Sequence, residues 1–79
     1  MSQNFDFTEQ TETAVERAAR LKRLRAAEIA RRFAEIDRER IRPLAAIAAG
    51  TATDEDRDKL ARLETQAQAL REELAELEE

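Results

Sequence analysis

The chain contains one proline and one glycine, Pro43 and Gly50, and they stand seven residues apart. Both residues interrupt helices. Proline lacks the amide hydrogen and crowds the preceding turn, and glycine adopts the left-handed conformation that often ends a helix. On either side the sequence is rich in Ala, Arg, Leu and Glu, which favour helix. These features predict an all-α chain with a single corner between two helices.

Pro43 allows two outcomes for the first helix. The helix either continues through Pro43 with a kink, or it stops near Arg40 and restarts with Pro43 in its first turn. Apolar residues continue at helical spacing from Ile36 through Leu44 to Ile47. This continuity favours a kinked helix over a broken one.

The first helix is predicted to begin between Asp6 and Thr13. Asp6 and Glu9 have the spacing of a capping box, and Thr8 and Thr11 are alternative caps. We expect the residues from 8 to 79 to form a single hairpin.

Residues 1–7 are predicted to form a tail that contains Phe5 and Phe7. Two alternatives stay open: these rings pack locally or lie in a disordered tail, or they dock onto a partner. The N-terminus lacks the basic start and apolar core of a secretory signal peptide. No apolar run approaches the ~20 residues that span a bilayer. We therefore expect no classical export and no membrane insertion.

The first helix carries one broad apolar face when its residues are placed at helical steps. Lys22 and Arg40 interrupt this face and are expected to extend their charged ends to water. Leu21 and Leu24 lie off the face, either as scattered surface residues or as a second contact surface. The predicted core residues of this helix are Ile29, Phe33, Ile36, Leu44 and Ile47.

The second helix is predicted from Asp54 to Glu76, with Thr53 as its N-cap and an acidic first turn. Only two residues separate Gly50 from Thr53, so the helices are expected to be antiparallel neighbours joined by a turn over 50–53. The apolar residues of this helix alternate at spacings of three and four, as in a coiled coil. They are Leu60, Leu63, Ala67, Leu70, Leu74 and Leu77.

This register places Leu60 near Leu44, Leu63 near Ile41, Leu70 near Phe33 and Leu77 near Ala26, to within about one turn. The longer first helix then extends beyond the second, and an isolated helical segment is marginally stable in water. We therefore expect the hairpin to be completed by oligomerisation or by docking onto other protein subunits. The predicted interface residues are Phe5, Phe7, Val15, Ala18, Ala19, Leu21 and Leu24.

The sequence offers little for catalysis. It contains no histidine, no cysteine and no glycine-rich loop, which excludes Cys/His zinc sites and His- or Cys-based nucleophilic catalysis. The acidic run that starts at Asp54 lacks the central glycine of a calcium-binding EF-hand loop and has Thr65 at its twelfth position. We predict no enzymatic activity, no cofactor and no metal.

A basic segment, residues 17–32, raises a second functional hypothesis, a small nucleic-acid-binding regulator. Its cations are spread around the helix next to glutamates, and no aromatic residue interleaves with the first cluster to stack on bases. The net charge of the chain is −4. A solvated helix with charged pairs is therefore the favoured interpretation, and nucleic acid is not the expected partner.

Residues 34–74 carry "EID", then "IRPLAAIAAGTAT", then "D..KLARLE", followed by a helix rich in Ala, Gln, Leu and Glu. This segment resembles a helical hairpin found in small tail-assembly and tail-associated proteins of bacteriophages and prophages. The resemblance covers about half of the chain. It implies a role in a virion or in its assembly, in the host cytoplasm, with phage structural proteins as partners. It brings no catalytic residues.

Overall fold

The computed structural model describes residues 12–78, which form an antiparallel helical hairpin. Helix α1 spans Ala14–Ala49 and helix α2 spans Asp54–Leu77, and the two pack against each other. This confirms the predicted all-α hairpin. The predictions about Phe5 and Phe7, and about a cap at Asp6, Thr8 or Thr11, lie outside the described residues.

Helix α1 begins with a capping box formed by Thr13 and Glu16, a pair that was not among the predicted caps. The Thr13 hydroxyl accepts a hydrogen bond from the Glu16 amide at 3.0 Å, and the Thr13 amide donates to the Glu16 carboxylate at 2.9 Å. These reciprocal bonds satisfy two backbone amides that would otherwise lack partners at a helix start. The first turn of α1 is therefore stabilised locally.

Helix α1 passes through Pro43 as one continuous helix, and it does not stop near Arg40. The prediction that the helix continues through the proline is therefore confirmed. Proline cannot donate a hydrogen bond to the carbonyl of Glu39, which makes an interior proline costly. The Pro43 ring is buried in the structure, and it extends a line of buried residues that recurs every seven positions from Ile29 through Ile36. Burial of the ring against the hairpin partly offsets the missing bond.

The corner between the helices is a Schellman motif. Gly50 is left-handed, with φ of 75°, and its amide donates to the carbonyl of Ile47 at 3.0 Å. The next amide, from Thr51, donates to the carbonyl of Ala46 at 2.8 Å. Helix α2 then starts at Thr53, which forms a second capping box with Asp56. The chain therefore ends one helix and starts the next within four residues.

The core of the hairpin is small. Ile36, Leu63 and Ala67 form a buried cluster with exposed fractions of 1–3%, and Phe33 and Leu70 pack against it. Ile29 is equally buried, at 1%. Leu60, Leu74 and Leu77 are half-buried, as expected when each helix packs against one other helix within residues 12–78.

The structure corrects three details of the predicted core. Leu44 and Ile47 are exposed, at 50% and 45%, and Leu63 packs with Ile36 instead of near Ile41. Leu44 follows the buried Pro43 directly, so it lies about 100° around the helix from it. The first six residues of α2 are all charged, and they offer no apolar side chain to cover Ile47.

Candidate protein interface

Helix α1 extends well beyond its partner. It has 36 residues and α2 has 24, a difference of 12 residues or about 18 Å at the usual helical rise. Arg25 bonds to Glu73, one turn before the end of α2, and the overhang lies on the N-terminal side of this pair. We call residues 14–24 the arm.

The arm exposes apolar side chains. Val15 is 78% exposed, Leu21 is 52% exposed and Leu24 is 53% exposed. The two alanines that were predicted as interface residues, Ala18 and Ala19, are exposed as well. Exposed apolar residues this close together on one element are typical of protein contact surfaces. The arm therefore presents every predicted interface residue that falls within residues 12–78.

An ion-pair cluster lies at the start of the arm. Glu12 accepts two hydrogen bonds from the Arg20 guanidinium, at 2.8 and 3.0 Å, and lies 3.8 Å from Arg17. The hydrogen bonds from Arg20 lower the pKa of the Glu12 carboxyl. Ala18 and Leu21 line a shallow groove beside this cluster, together with Ala14. The apolar surface of the arm therefore borders a fixed ion pair.

Three arginines of α1 connect the two helices through polar contacts. Arg25 makes a two-pronged ion pair with Glu73. Arg40 lies on the predicted apolar face, and its side chain reaches across to α2. There it donates to Glu64 at 3.1 Å.

Arg32, the third of these arginines, donates to Gln66 across the hairpin. It also pairs with Glu35 and Glu39 on its own helix. Because Arg20, Arg25 and Arg32 are all engaged by carboxylates, much of the basic character of residues 17–32 is neutralised within the chain. This weakens the nucleic-acid interpretation of that segment.

A second exposed apolar patch lies near the corner and was not predicted, in part because Leu44 was assigned to the core. Ile41 is 66% exposed and sits beside Leu44 on the helix surface, one turn away. The signal that could have identified this patch is the charged start of α2, from Asp54 to Lys59, which supplies no apolar partner.

Other kinds of site find no support within residues 12–78. No group of acidic side chains there is placed to hold a metal ion, and neither helix is long and apolar enough to cross a membrane. The grooves on the helices are shallow and lined by a few surface residues each. Compared with known protein families, curated proteins and solved structures, the chain matches none.

Proposed function

We propose that this chain is a structural or assembly component that acts through helix–helix contacts with other protein subunits. The observation that supports this most is the arm, where Val15, Leu21 and Leu24 are each more than half exposed and whose N-terminal part lies beyond the end of α2. Covering this surface with a partner helix would remove apolar area from water, which favours association.

The setting that we propose is a phage-like particle, in the virion or in the host cytoplasm during assembly. The support is the resemblance of residues 34–74 to a hairpin of tail-assembly and tail-associated proteins. The same residues build the corner and α2, from Pro43 through Gly50 to Leu74.

Sedimentation of the purified chain at micromolar concentration tests the helix–helix contact. We expect the wild type to associate and the double variant Leu21→Gln/Leu24→Gln to associate more weakly. Leu44→Gln is the matched control, because Leu44 is equally apolar and is 50% exposed, but it lies outside the arm. A wild type that stays monomeric, or an arm variant that associates unchanged, would count against the proposal.

A small nucleic-acid-binding regulator is the second candidate. It is favoured by Arg23 and Arg31, which are exposed and have no carboxylate within ion-pair distance among the residues that the structure describes. Binding through such groups weakens steeply as salt rises. Absence of a mobility shift with duplex DNA at low salt would remove this candidate.

A further inference from the structure

From Arg23 onward, the arginines of α1 divide into two groups by their position around the helix. Those that face α2 are engaged in ion pairs, as described for Arg25, Arg32 and Arg40. The others are exposed, make no ion pair within residues 12–78, and lie within an arc of about 100° nearly opposite the buried line through Ile36. We call this surface the α1 outer face. Its cations are Arg23, Arg31, Arg38 and Arg42.

Helix α2 has an acidic counterpart on the side that faces away from α1. Asp58, Glu72 and Glu76 are exposed and make no ion pair within the described residues. We call this surface the α2 outer face. Between its charges lie the small residues Thr65 and Ala69, which line a shallow groove together with Gln68. The Thr65 hydroxyl already donates to the carbonyl of Ala61 at 3.0 Å, so its polar group is satisfied within the helix.

The charges on the two outer faces have matching spacing. On α1 the steps from Arg23 to Arg38 to Arg42 are 15 and 4 residues, and on α2 the steps from Asp58 to Glu72 to Glu76 are 14 and 4. These spans correspond to about 28 Å and about 27 Å of helix. Arg31 has no acidic counterpart in this alignment.

The same offset of 34 or 35 positions also aligns small residues between the charges. It places Ala27 beside Ala61 and Ala34 beside Ala69, and all four are exposed. Small side chains allow two helices to approach closely. Both the charges and the small residues therefore fit a parallel contact.

We propose that the α1 outer face of one molecule binds the α2 outer face of a second copy in parallel, pairing Arg23 with Asp58, Arg38 with Glu72 and Arg42 with Glu76. This rests on the proposed role in helix–helix assembly and names one of its partners. The two faces lie on opposite sides of one hairpin, so the contact is head-to-tail and leaves a free face at each end. Such contacts build rings or open rows of subunits.

A second copy fits the α1 outer face better than a nucleic acid does. No aromatic residue lies among the four arginines to stack on bases, and the intervening residues include Ala27, Ala34 and Ile41. The chain carries its own acidic surface of the same length, and its net charge of −4 disfavours general attraction to nucleic acid. Charge complementarity between copies therefore selects the partner.

A charge-exchange experiment tests this contact. One variant carries Arg38→Glu/Arg42→Glu, and the other carries Glu72→Arg/Glu76→Arg; all four positions are exposed, and circular dichroism checks that each variant is helical. We expect the dissociation constant for self-association to rise about tenfold or more in either variant alone. An equimolar mixture should restore association, because each reversed face then meets an oppositely charged face. Wild-type association should also weaken at high salt.

The proposal would be overturned if either charge variant self-associated as strongly as the wild type, or if mixing the two variants did not restore association. It would also be overturned if the wild type bound duplex DNA and the Arg38→Glu/Arg42→Glu variant did not. The arm variant separates this contact from the proposed function. If Leu21→Gln/Leu24→Gln abolishes association while both charge variants behave as wild type, the outer-face contact is wrong and the proposed function stands. If the wild type does not associate at all, both are wrong.

Discussion

Arg25 and Glu73 clamp the open end of the hairpin through two parallel hydrogen bonds. The Arg25 Nε atom lies 2.6 Å from Oε2 of Glu73, and Nη2 lies 2.7 Å from Oε1. The pair stands at the end opposite Gly50, where no covalent turn joins the helices. A glutamate near the C-terminus of a helix is disfavoured by the helix dipole, and the guanidinium opposes that effect.

Hairpin stability should fall at acidic pH, in part through this pair. The hydrogen bond from Arg25 lowers the pKa of the Glu73 carboxyl. A lowered pKa contributes stability above the unfolded value of about 4.3, and that stability is lost as pH falls through the folded pKa. Thermal unfolding measured from neutral pH downward should show a smaller loss of Tm in Glu73→Gln than in the wild type.

Glu78→Gln is the control for this pH series, because Glu78 is exposed and makes no ion pair within residues 12–78. Its pH profile should follow the wild type. An identical profile for Glu73→Gln would mean that the clamp adds nothing to the folded state.

Ile36→Ala should destabilise the hairpin severely. Ile36 is 1% exposed and forms the core cluster with Leu63 and Ala67. Truncation of a buried isoleucine costs about 2–5 kcal/mol, which is a large part of what a core this small can supply. Denaturant unfolding followed by circular dichroism measures this loss.

Leu44→Ala is the matched control, because Leu44 is 50% exposed. It should cost under about 1 kcal/mol, in proportion to the smaller area that it buries. Equal losses at Ile36 and Leu44 would place Leu44 back in the core, against the structure.

Gly50→Val should destabilise the corner by about 1 kcal/mol or more, because a β-branched residue strongly disfavours positive φ. The cost comes from the backbone alone, since a Cβ at Gly50 would meet no atom within 4 Å. Gly50→Asn should be milder, because asparagine tolerates the left-handed region. Unchanged Tm in Gly50→Val would show that the corner does not need this conformation.

Thr53→Ala should lower the unfolding free energy by about 1 kcal/mol, because it removes the hydroxyl that accepts from the Asp56 amide at 3.1 Å. Thr53→Ser keeps that oxygen and should restore most of the loss. Urea unfolding of the three proteins side by side measures the difference. Equal destabilisation by serine and alanine would mean that the methyl group, and not the cap, matters at this position.

The corner and α2 were the parts most predictable from sequence, because their signals are local. Gly50 and Thr53 have side-chain and backbone preferences that act within a few residues, and α2 ends one residue beyond the predicted Glu76. The core near the corner was not predictable in the same way. Leu44 and Ile47 have the right spacing, but their burial depends on what α2 presents opposite them.

The candidate interface also has one part that was predictable from sequence and one part that was not. The exposed arm followed from the difference in helix length, which the sequence shows. The outer faces did not, because sequence alone shows cations all around α1. The ion pairs of Arg25, Arg32 and Arg40 in the structure show which arginines are neutralised between the two helices.

Because α1 is continuous from the arm to Pro43, the direction in which the arm faces is set relative to the core of the hairpin. Each residue inserted between the arm and the core would advance a bound partner by about 1.5 Å and rotate it by about 100° around the helix. One insertion would therefore aim the arm sideways relative to the hairpin, whereas seven would nearly restore its direction at a longer reach. The number of helical residues between the arm and the core therefore sets both the distance and the direction of whatever the arm binds.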